Sequence, residues 1–355
     1  MKTADFDYRL PTELIAQQPL AERDGARMLV LDPNRPSLTH ARVSQLPDYL
    51  ESGDLLVMND SRVLPARLLG RRSDGGEAEI LLLRPVAGGD GLWEALTRPS
   101  RRLPEGSQVC FDGSKLAITV AERRGETAIV RLGGLADPLQ EVRRVGRMPT
   151  PPYIKQTLAD PDRYQTVYAR DEGSAAAPTA GLHFTEALLE KVRSRGVDLA
   201  FVTLHVGLDT FRPVRVDDPD EHRIHREWYR VTPETARAVG ATRRRGGRVV
   251  AVGTTCVRVL ESAAEGNLVR SEEAWTELKI LPGYRFAVVD AMLTNFHLPK
   301  STLLMLVSAF AGREKILAAY RAAVEERYRF YSFGDCMLIT GPHPDTFPEA
   351  EREKM

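Results

Sequence analysis

Between Ala66 and Val130 the chain changes texture. The runs ARLLGRR, EAEILLLRP, GLWEALTRP, QVCFDG, LAITVAERR and TAIVRL are short, partly alternating in polarity, and separated by Gly, Asp and Pro. A period of two puts successive side chains on opposite faces of a strand, so six such runs within about 70 residues predict a small antiparallel barrel. Few folds accept a unit of that kind in mid-chain, and the sequence around it must provide a body to carry it.

That body reads as α/β. Upstream, DLLVMNDSRVLPAR gives a buried strand over Leu55–Met58 that ends in a polar group. Downstream, strand and helix patterns alternate: VDLAFVTLHV, EWYRV, a helix over Thr232–Arg245 with Pro233 at its first position, and RVVAVGTT leading into another helix. The prolines of MPTPPY (Met148–Tyr153) make a stiff return segment. The expected class is α/β, with a small antiparallel β-barrel domain inserted into the main domain. The expected division is a discontinuous catalytic domain, residues 1–62 and 149–355, around an insert at 63–148. A length of 355 residues suits two cores.

Charge and cysteine content narrow the function classes. Lys and Arg equal Asp and Glu at 49 each, so no whole-molecule field draws in a polyanion and any nucleic acid needs a local basic patch. Residues 63–148 offer one, with clusters at Arg71/Arg72, Arg98/Arg101/Arg102 and Arg143/Arg144/Arg147. Three dispersed cysteines, Cys110, Cys256 and Cys336, form neither a disulfide framework nor a zinc knuckle, which fits a reducing cytoplasmic setting. The longest late apolar run, Leu303–Ala311, is too short to span a bilayer, and no targeting segment is expected.

Several segments have the character of site loops. GSAAAPTAGLHFTE (Gly173–Glu186) combines small residues, among them Gly181, with Thr179, His183 and a helix cap at Thr185. Its small side chains suit close approach of backbone to a ligand. The strand-end group containing Asp60 and Arg62, and LHVGLDTF with His205 and Thr210, lie where α/β ligand sites form. The Gly253, Thr254, Thr255 turn runs from a strand into a helix and presents free amides to a carboxylate or phosphate. DAMLTNFHLPKST gathers Asp290, Asn295, Phe296, His297, Lys300 and Ser301 at one helix entrance. His222 and His225 stand three apart, with no HExxH and no familiar metalloenzyme spacing, so no metal ligand set is expected.

Nine stretches in order carry a resemblance: FDYRLPTELIAQQP, NDSRVLPARL, GSAAAPTAGLHFT, HVGLDTFRPV, EHRIHREWY, VGTTCVRVLES, PGY with Phe286, TNFHLPKSTLLMLVSAFAG and YSFGDCMLI. Together they resemble the S-adenosylmethionine:tRNA ribosyltransferase-isomerase family of queuosine biosynthesis. The departures are mild: Ser61 for threonine, Asp209 for glycine and Ala175 for valine. The resemblance implies transfer and isomerisation of the ribosyl part of S-adenosylmethionine onto the aminomethyl group of 7-aminomethyl-7-deazaguanine at the tRNA wobble position. The product is epoxyqueuosine, and adenine and methionine leave; the resemblance also implies a barrel-like α/β main domain carrying an inserted β-barrel. S-adenosylmethionine is then a consumed substrate, with no separate cofactor, and the expected protein is a cytoplasmic monomer that binds the tRNA anticodon loop.

Laid on these residues, that chemistry asks for a base at the acidified 5′ carbon and a hydrogen-bond donor for the departing adenine. His183 or His297 fills the acid–base role, with Asp290 and Asn295 orienting. Gly253–Thr255 and Arg258 hold the methionine carboxylate, and Tyr284 or Phe296 stacks on adenine. Thr179, Gly181, His205, Asp60 and Arg62 complete the substrate site. Lys300, Arg101, Arg102, Arg143 and Arg144 meet tRNA phosphates. Two other classes remain open from the residues alone: a metal-dependent hydrolase on an α/β barrel, and a non-catalytic RNA-binding protein.

Overall fold

The computed structural model describes residues 1–35, 37–86, 91–207, 214–224 and 226–341. The chain opens with a hairpin, β1 (Arg27–Leu31) and β2 (Leu38–Arg42), followed by β3 (Leu55–Asn59) and the short β4 (Ser61–Val63). Six strands come next: β5 (Arg67–Arg72), β6 (Glu77–Pro85), β7 (Leu92–Arg98), β8 (Gln108–Cys110), β9 (Ala117–Arg124) and β10 (Thr127–Gly133). Helix α1 (Pro138–Val145), β11 (Asp171–Ser174), α2 (Glu186–Ser194), β12 (Asp198–Leu204) and β13 (Glu227–Val231) lead to α3 (Pro233–Arg244), β14 (Val249–Val252) and α4 (Thr254–Ser262). The small hairpin β15 (Ala264–Glu265) and β16 (Leu268–Val269), then β17 (Glu272–Thr276), β18 (Ala291–Asn295), α5 (Thr302–Ala311), α6 (Arg313–Glu325) and β19 (Cys336–Ile339) complete the order.

All six alternating runs are strands of one closed barrel, in the order β10-β7-β6-β5-β8-β9. In β7 the residues Trp93, Ala95 and Thr97 point inward while their neighbours are partly exposed, which is the pleat that the sequence spelled out. Leu68, Ile80, Val109, Ile118 and Val130 fill the interior, and α1 adds Val142, fully buried, to the same core. Asp137 starts α1 by accepting from the amides of Leu139 and Gln140.

The large sheet is mixed and nine-stranded, β17-β13-β12-β3-β14-β18-β19-β1-β2. It runs between two edges, β17 and β2, instead of closing on itself. Its middle strands β12, β3, β14 and β18 are mutually parallel. Strands β3, β14, β18 and β19 are buried at every position, as expected where helices cover both faces. Leu55 and Val57 enter one core with residues of α4, α5 and α6, while Leu56 and Met58 enter the other beside Leu188 and Val192 of α2. Parallel strands end together, so the carboxyl ends of these four bring Asp60, His205, Gly253 and Asn295 to one edge of the sheet.

Local signals behave as their chemistry dictates. Thr185 caps α2 by accepting from Leu188 N at 3.0 Å, and Thr232 caps α3 with Pro233 behind it. Near the amino terminus, Thr12–Leu14 forms a single 3-10 turn. Among the described residues no helix is long and apolar enough to cross a membrane.

Candidate active site

A cleft with about 590 Å³ of open space lies at the carboxyl ends of β14 and β18. Its lining includes Thr179, Gly253, Thr254, Thr255, Asn295 and His297, so four segments far apart in sequence converge there. Gly253 has φ +89°, a backbone region that costs an L side chain strain, and a Cβ there would stand 3.5 Å from Ala180 Cβ. The strand-to-helix turn therefore needs glycine, and the unpaired amides of the first turn of α4 open at the cleft. Thr255 Oγ1 is buried beside them without a hydrogen-bond partner.

Asn295 is the hub. Its Nδ2 donates to the carbonyl of Tyr331 at 3.2 Å and to His183 Nε2 at 3.3 Å, and its Oδ1 accepts from Thr179 Oγ1 at 2.8 Å. A carbonyl only accepts, which fixes the amide orientation and makes His183 Nε2 an acceptor as well. The His183 proton therefore sits on Nδ1. Burial pushes this imidazole down to about 4; a hydrogen bond with the backbone of Arg23 opposes the shift, and the charges of Arg329 and Arg23 reinforce it.

His297 faces the cleft directly. Burial holds its imidazole down at about 3, and its Nε2 lies 2.8 Å from Thr294 Oγ1. Its main chain is clamped: Tyr8 Oη donates to its carbonyl at 2.6 Å and its amide donates to Tyr320 Oη at 2.9 Å. Three residues on, Lys300 adopts φ 57°, donates from its amide to the carbonyl of Phe6 and accepts from Val214 N. Ser301 then caps α5.

Several expected site residues stand elsewhere. Asp290 precedes β18 at its amino end, whereas Asn295 closes the carboxyl end; five residues of strand separate them by roughly 16 Å. Its carboxylate is engaged by Arg243 at 2.6 Å and by Val249 N, so it orients neither histidine. Arg258 makes a buried ion pair with Glu227 and donates to the carbonyl of Leu278, so its charge is already matched, while its Nη2 is buried without a partner. Tyr284 donates to Glu261, a carboxylate that also accepts from the amides of Ala287, Val288 and Val289. Phe296 touches the cleft, but its ring is fully buried among Tyr320, Tyr328 and Phe330, leaving no face for adenine. Gly181 makes room for protein: a Cβ there would stand 2.1 Å from Tyr168 Oη.

Asp60 and His205 belong to a separate network beside the cleft, under β12 and β3. Asp60 accepts from Thr203 Oγ1 and Arg170, while His205 stacks on Trp228 at 4.9 Å and approaches Asp171, itself paired with Arg230. Arg62 is exposed on β4. Lys300 is paired with Asp7 at 2.8 Å, Arg143 with Glu172 and Arg144 with Glu141. Arg101 and Arg102 are exposed, and among the described residues neither has a carboxylate within 4.0 Å. Asp209, Thr210 and His225 lie outside the described residues. No group of three or more His, Cys, Asp or Glu suited to a metal ion occurs among the described residues.

Sequence reasoning gave no role to Tyr8, Tyr153, Tyr331 or Ser332. Tyr153 and Tyr331 face each other at 4.7 Å on the cleft wall, and Tyr153 Oη lies 2.7 Å from Ser332 Oγ. Tyr8, Tyr331 and Ser332 fall inside stretches that carry the resemblance, which was the available signal.

Residues 3–339 match the family model described as queuosine biosynthesis protein. A protein of Pelotomaculum thermopropionicum named S-adenosylmethionine:tRNA ribosyltransferase-isomerase is 54% identical over 344 residues, 96% of this chain and 100% of its own length. One of Moorella thermoacetica with the same name is 53% identical over 346 residues, with the same coverage. The crystal structure of S-adenosylmethionine tRNA ribosyltransferase from Thermotoga maritima is similar at 39% identity and a TM-score of 0.53, covering 94% of this chain and 99% of that one. With that identity and coverage, this chain belongs to the S-adenosylmethionine:tRNA ribosyltransferase-isomerase family.

Proposed function

We propose that the protein transfers and isomerises the ribosyl group of S-adenosylmethionine onto the aminomethyl group of 7-aminomethyl-7-deazaguanine at the tRNA wobble position, giving epoxyqueuosine and releasing adenine and methionine. Full-length family membership carries this reading, and the cleft at the carboxyl ends of β14 and β18 is where we place the reaction.

In this reading His297 is the acid–base group. The sulfonium makes the adjacent 5′ hydrogens acidic, and the His297 imidazole, at the cleft wall and neutral at working pH, is the group placed to accept one of them. Asn295 and Thr179 form a polar edge for hydrogen bonds to the nucleoside, the turn at Gly253–Thr255 supplies amides to an oxygen that gains negative charge, and Tyr153 and Tyr331 supply the aromatic wall. His183 supports Asn295 from behind, since its free lone pair is already occupied.

The anticodon loop presents the modified base to the cleft, with Arg101 and Arg102 on phosphates. S-adenosylmethionine is consumed and no further cofactor enters the scheme. We place the protein in the cytoplasm as a monomer, a setting that suits its three free cysteines.

The test is chromatographic. Purified protein is incubated with S-adenosylmethionine and an anticodon stem-loop carrying the aminomethyl deazaguanine. Equal release of adenine and methionine that depends on the modified base is expected; release of neither by folded, RNA-binding protein overturns the reading.

A further inference from the structure

Behind Asn295, on the side away from Thr179, a second and smaller pocket opens beside His183. Arg23 and Arg163 line it, and Arg329 lies close enough for its charge to be felt at the His183 imidazole. Ser332 lines both this pocket and the larger cleft.

The three guanidiniums are anchored by backbone carbonyls. Arg23 donates to the carbonyls of Leu182 and Asp162, Arg163 to those of Ala21 and Leu20, and Arg329 to that of Gln18. Among the described residues none of them has a carboxylate within 4.0 Å. Arg163 Nε and Arg329 Nη1 are buried with no partner. The nearest acidic groups are already engaged: Asp160 accepts from the amide of Asp162, and Asp335 from those of Arg27 and Arg329. At Arg143 and Arg248 a bound carboxylate holds the guanidinium above its usual range. Arg23 and Arg329 are instead pushed below it, chiefly by burial, and Arg163 adds repulsion at Arg23. Backbone carbonyls fix the direction of these groups without cancelling their charge, and an oxyanion is the strongest partner their remaining N–H groups can take.

We infer that the pocket beside His183 is an oxyanion site in which Arg23 and Arg163 hold a carboxylate or phosphate oxygen belonging to one of the two substrates. The inference rests on the reading of the adjoining cleft as the reaction site. One oxyanion chemistry has two sources there: the amino-acid carboxylate of S-adenosylmethionine and a phosphate of the tRNA strand. Arg258, which the sequence offered for the carboxylate, already has Glu227.

Equilibrium binding separates the sources and is independent of turnover. Calorimetric Kd values are measured for S-adenosylmethionine, for its decarboxylated analogue, and for the anticodon stem-loop at several salt concentrations, with wild type, Arg23→Gln, Arg163→Gln and Arg163→Lys. If the oxyanion is the carboxylate, each Gln variant weakens S-adenosylmethionine about tenfold or more and leaves the decarboxylated analogue unchanged. If it is a phosphate, RNA binding weakens by a similar factor and the slope of log Kd against log salt falls by about one. In both cases Arg163→Lys recovers part of the loss, and unchanged melting curves show that the fold is kept. Unchanged Kd values for all three ligands in both folded Gln variants overturn the inference. Failure of wild type to release adenine with these Kd shifts intact would instead count against the proposed reaction.

Discussion

Arginine plays opposite parts in the barrel and beside His183. On the barrel and its helix several guanidiniums are matched: Arg84 with Glu94, Arg124 with Glu122, Arg143 with Glu172 and Arg144 with Glu141, each at 2.7 Å. Exposed pairs of this kind are screened by salt and add little stability. Around His183 the guanidiniums meet only carbonyls, and their charge stays available. A count of 14 Lys or Arg against 11 Asp or Glu in residues 63–148 suggested a nucleic-acid surface. The structure teaches that cations without a carboxylate, Arg101 and Arg102 among those of the barrel and the group beside His183, are the ones to test.

The sharpest break comes at the hub between the two pockets. Asn295→Ala leaves His183 Nε2, Thr179 and the Tyr331 carbonyl without their shared partner, and adenine release is expected to fall about 100- to 1000-fold with near-native circular dichroism. A wild-type rate would end the role given to this residue.

A pH series comes next, since both histidines are buried in neutral form. The folded values, about 4 for His183 and about 3 for His297, lie below the unfolded 6.5. Between those limits the unfolded chain binds more protons than the native one, so this stabilisation is present above about pH 6.5 and is lost progressively as pH falls toward 4. The melting temperature should drop over that window, while kcat/KM of still-folded enzyme shows no acid limb near 6.5. An acid limb at 6.5 would mean that an exposed histidine carries the chemistry.

Smaller effects divide the barrel itself. Arg101→Ala and Arg102→Ala should each raise KM for tRNA about three- to tenfold and lower its salt slope by about one. Arg144→Ala, which removes a cation already matched by Glu141, should change KM by less than about twofold and leave the melting temperature in place. Equal losses in all three would erase the distinction between matched and unmatched arginines.

The barrel was legible because its strands have one wet face, so period two is written into runs such as LWEALTR. The large sheet was less so. Strands buried on both faces, such as VVAV and AMLTN, read as apolar runs that carry no orientation and no neighbour order. For the same reason Asp290 and Asn295, five residues apart, looked like one cluster although a strand puts them at opposite ends. Arg258 and Tyr284 were right for their chemistry but had partners, Glu227 and Glu261, that only the folded chain reveals. Thr179, Gly253, Asn295 and His297 could be found because small and polar residues at strand ends have few other uses. Arg163 and Arg329 could not, because what distinguishes them is the absence of a neighbouring carboxylate.

Strand β19 has a consequence for how a ribosome makes this protein. It lies between β18 and β1, pairing Cys336 with Met28 in parallel and with Asn295 antiparallel, and the β1–β2 hairpin joins the sheet through it alone. At roughly 5–20 residues per second, the hairpin emerges tens of seconds before its partner is synthesised. Through that interval the apolar edge of β1 has no neighbour, and Tyr8 waits for His297. Until β19 has been made the nascent chain carries this unpaired edge, and the hairpin cannot join the sheet that bears the cleft.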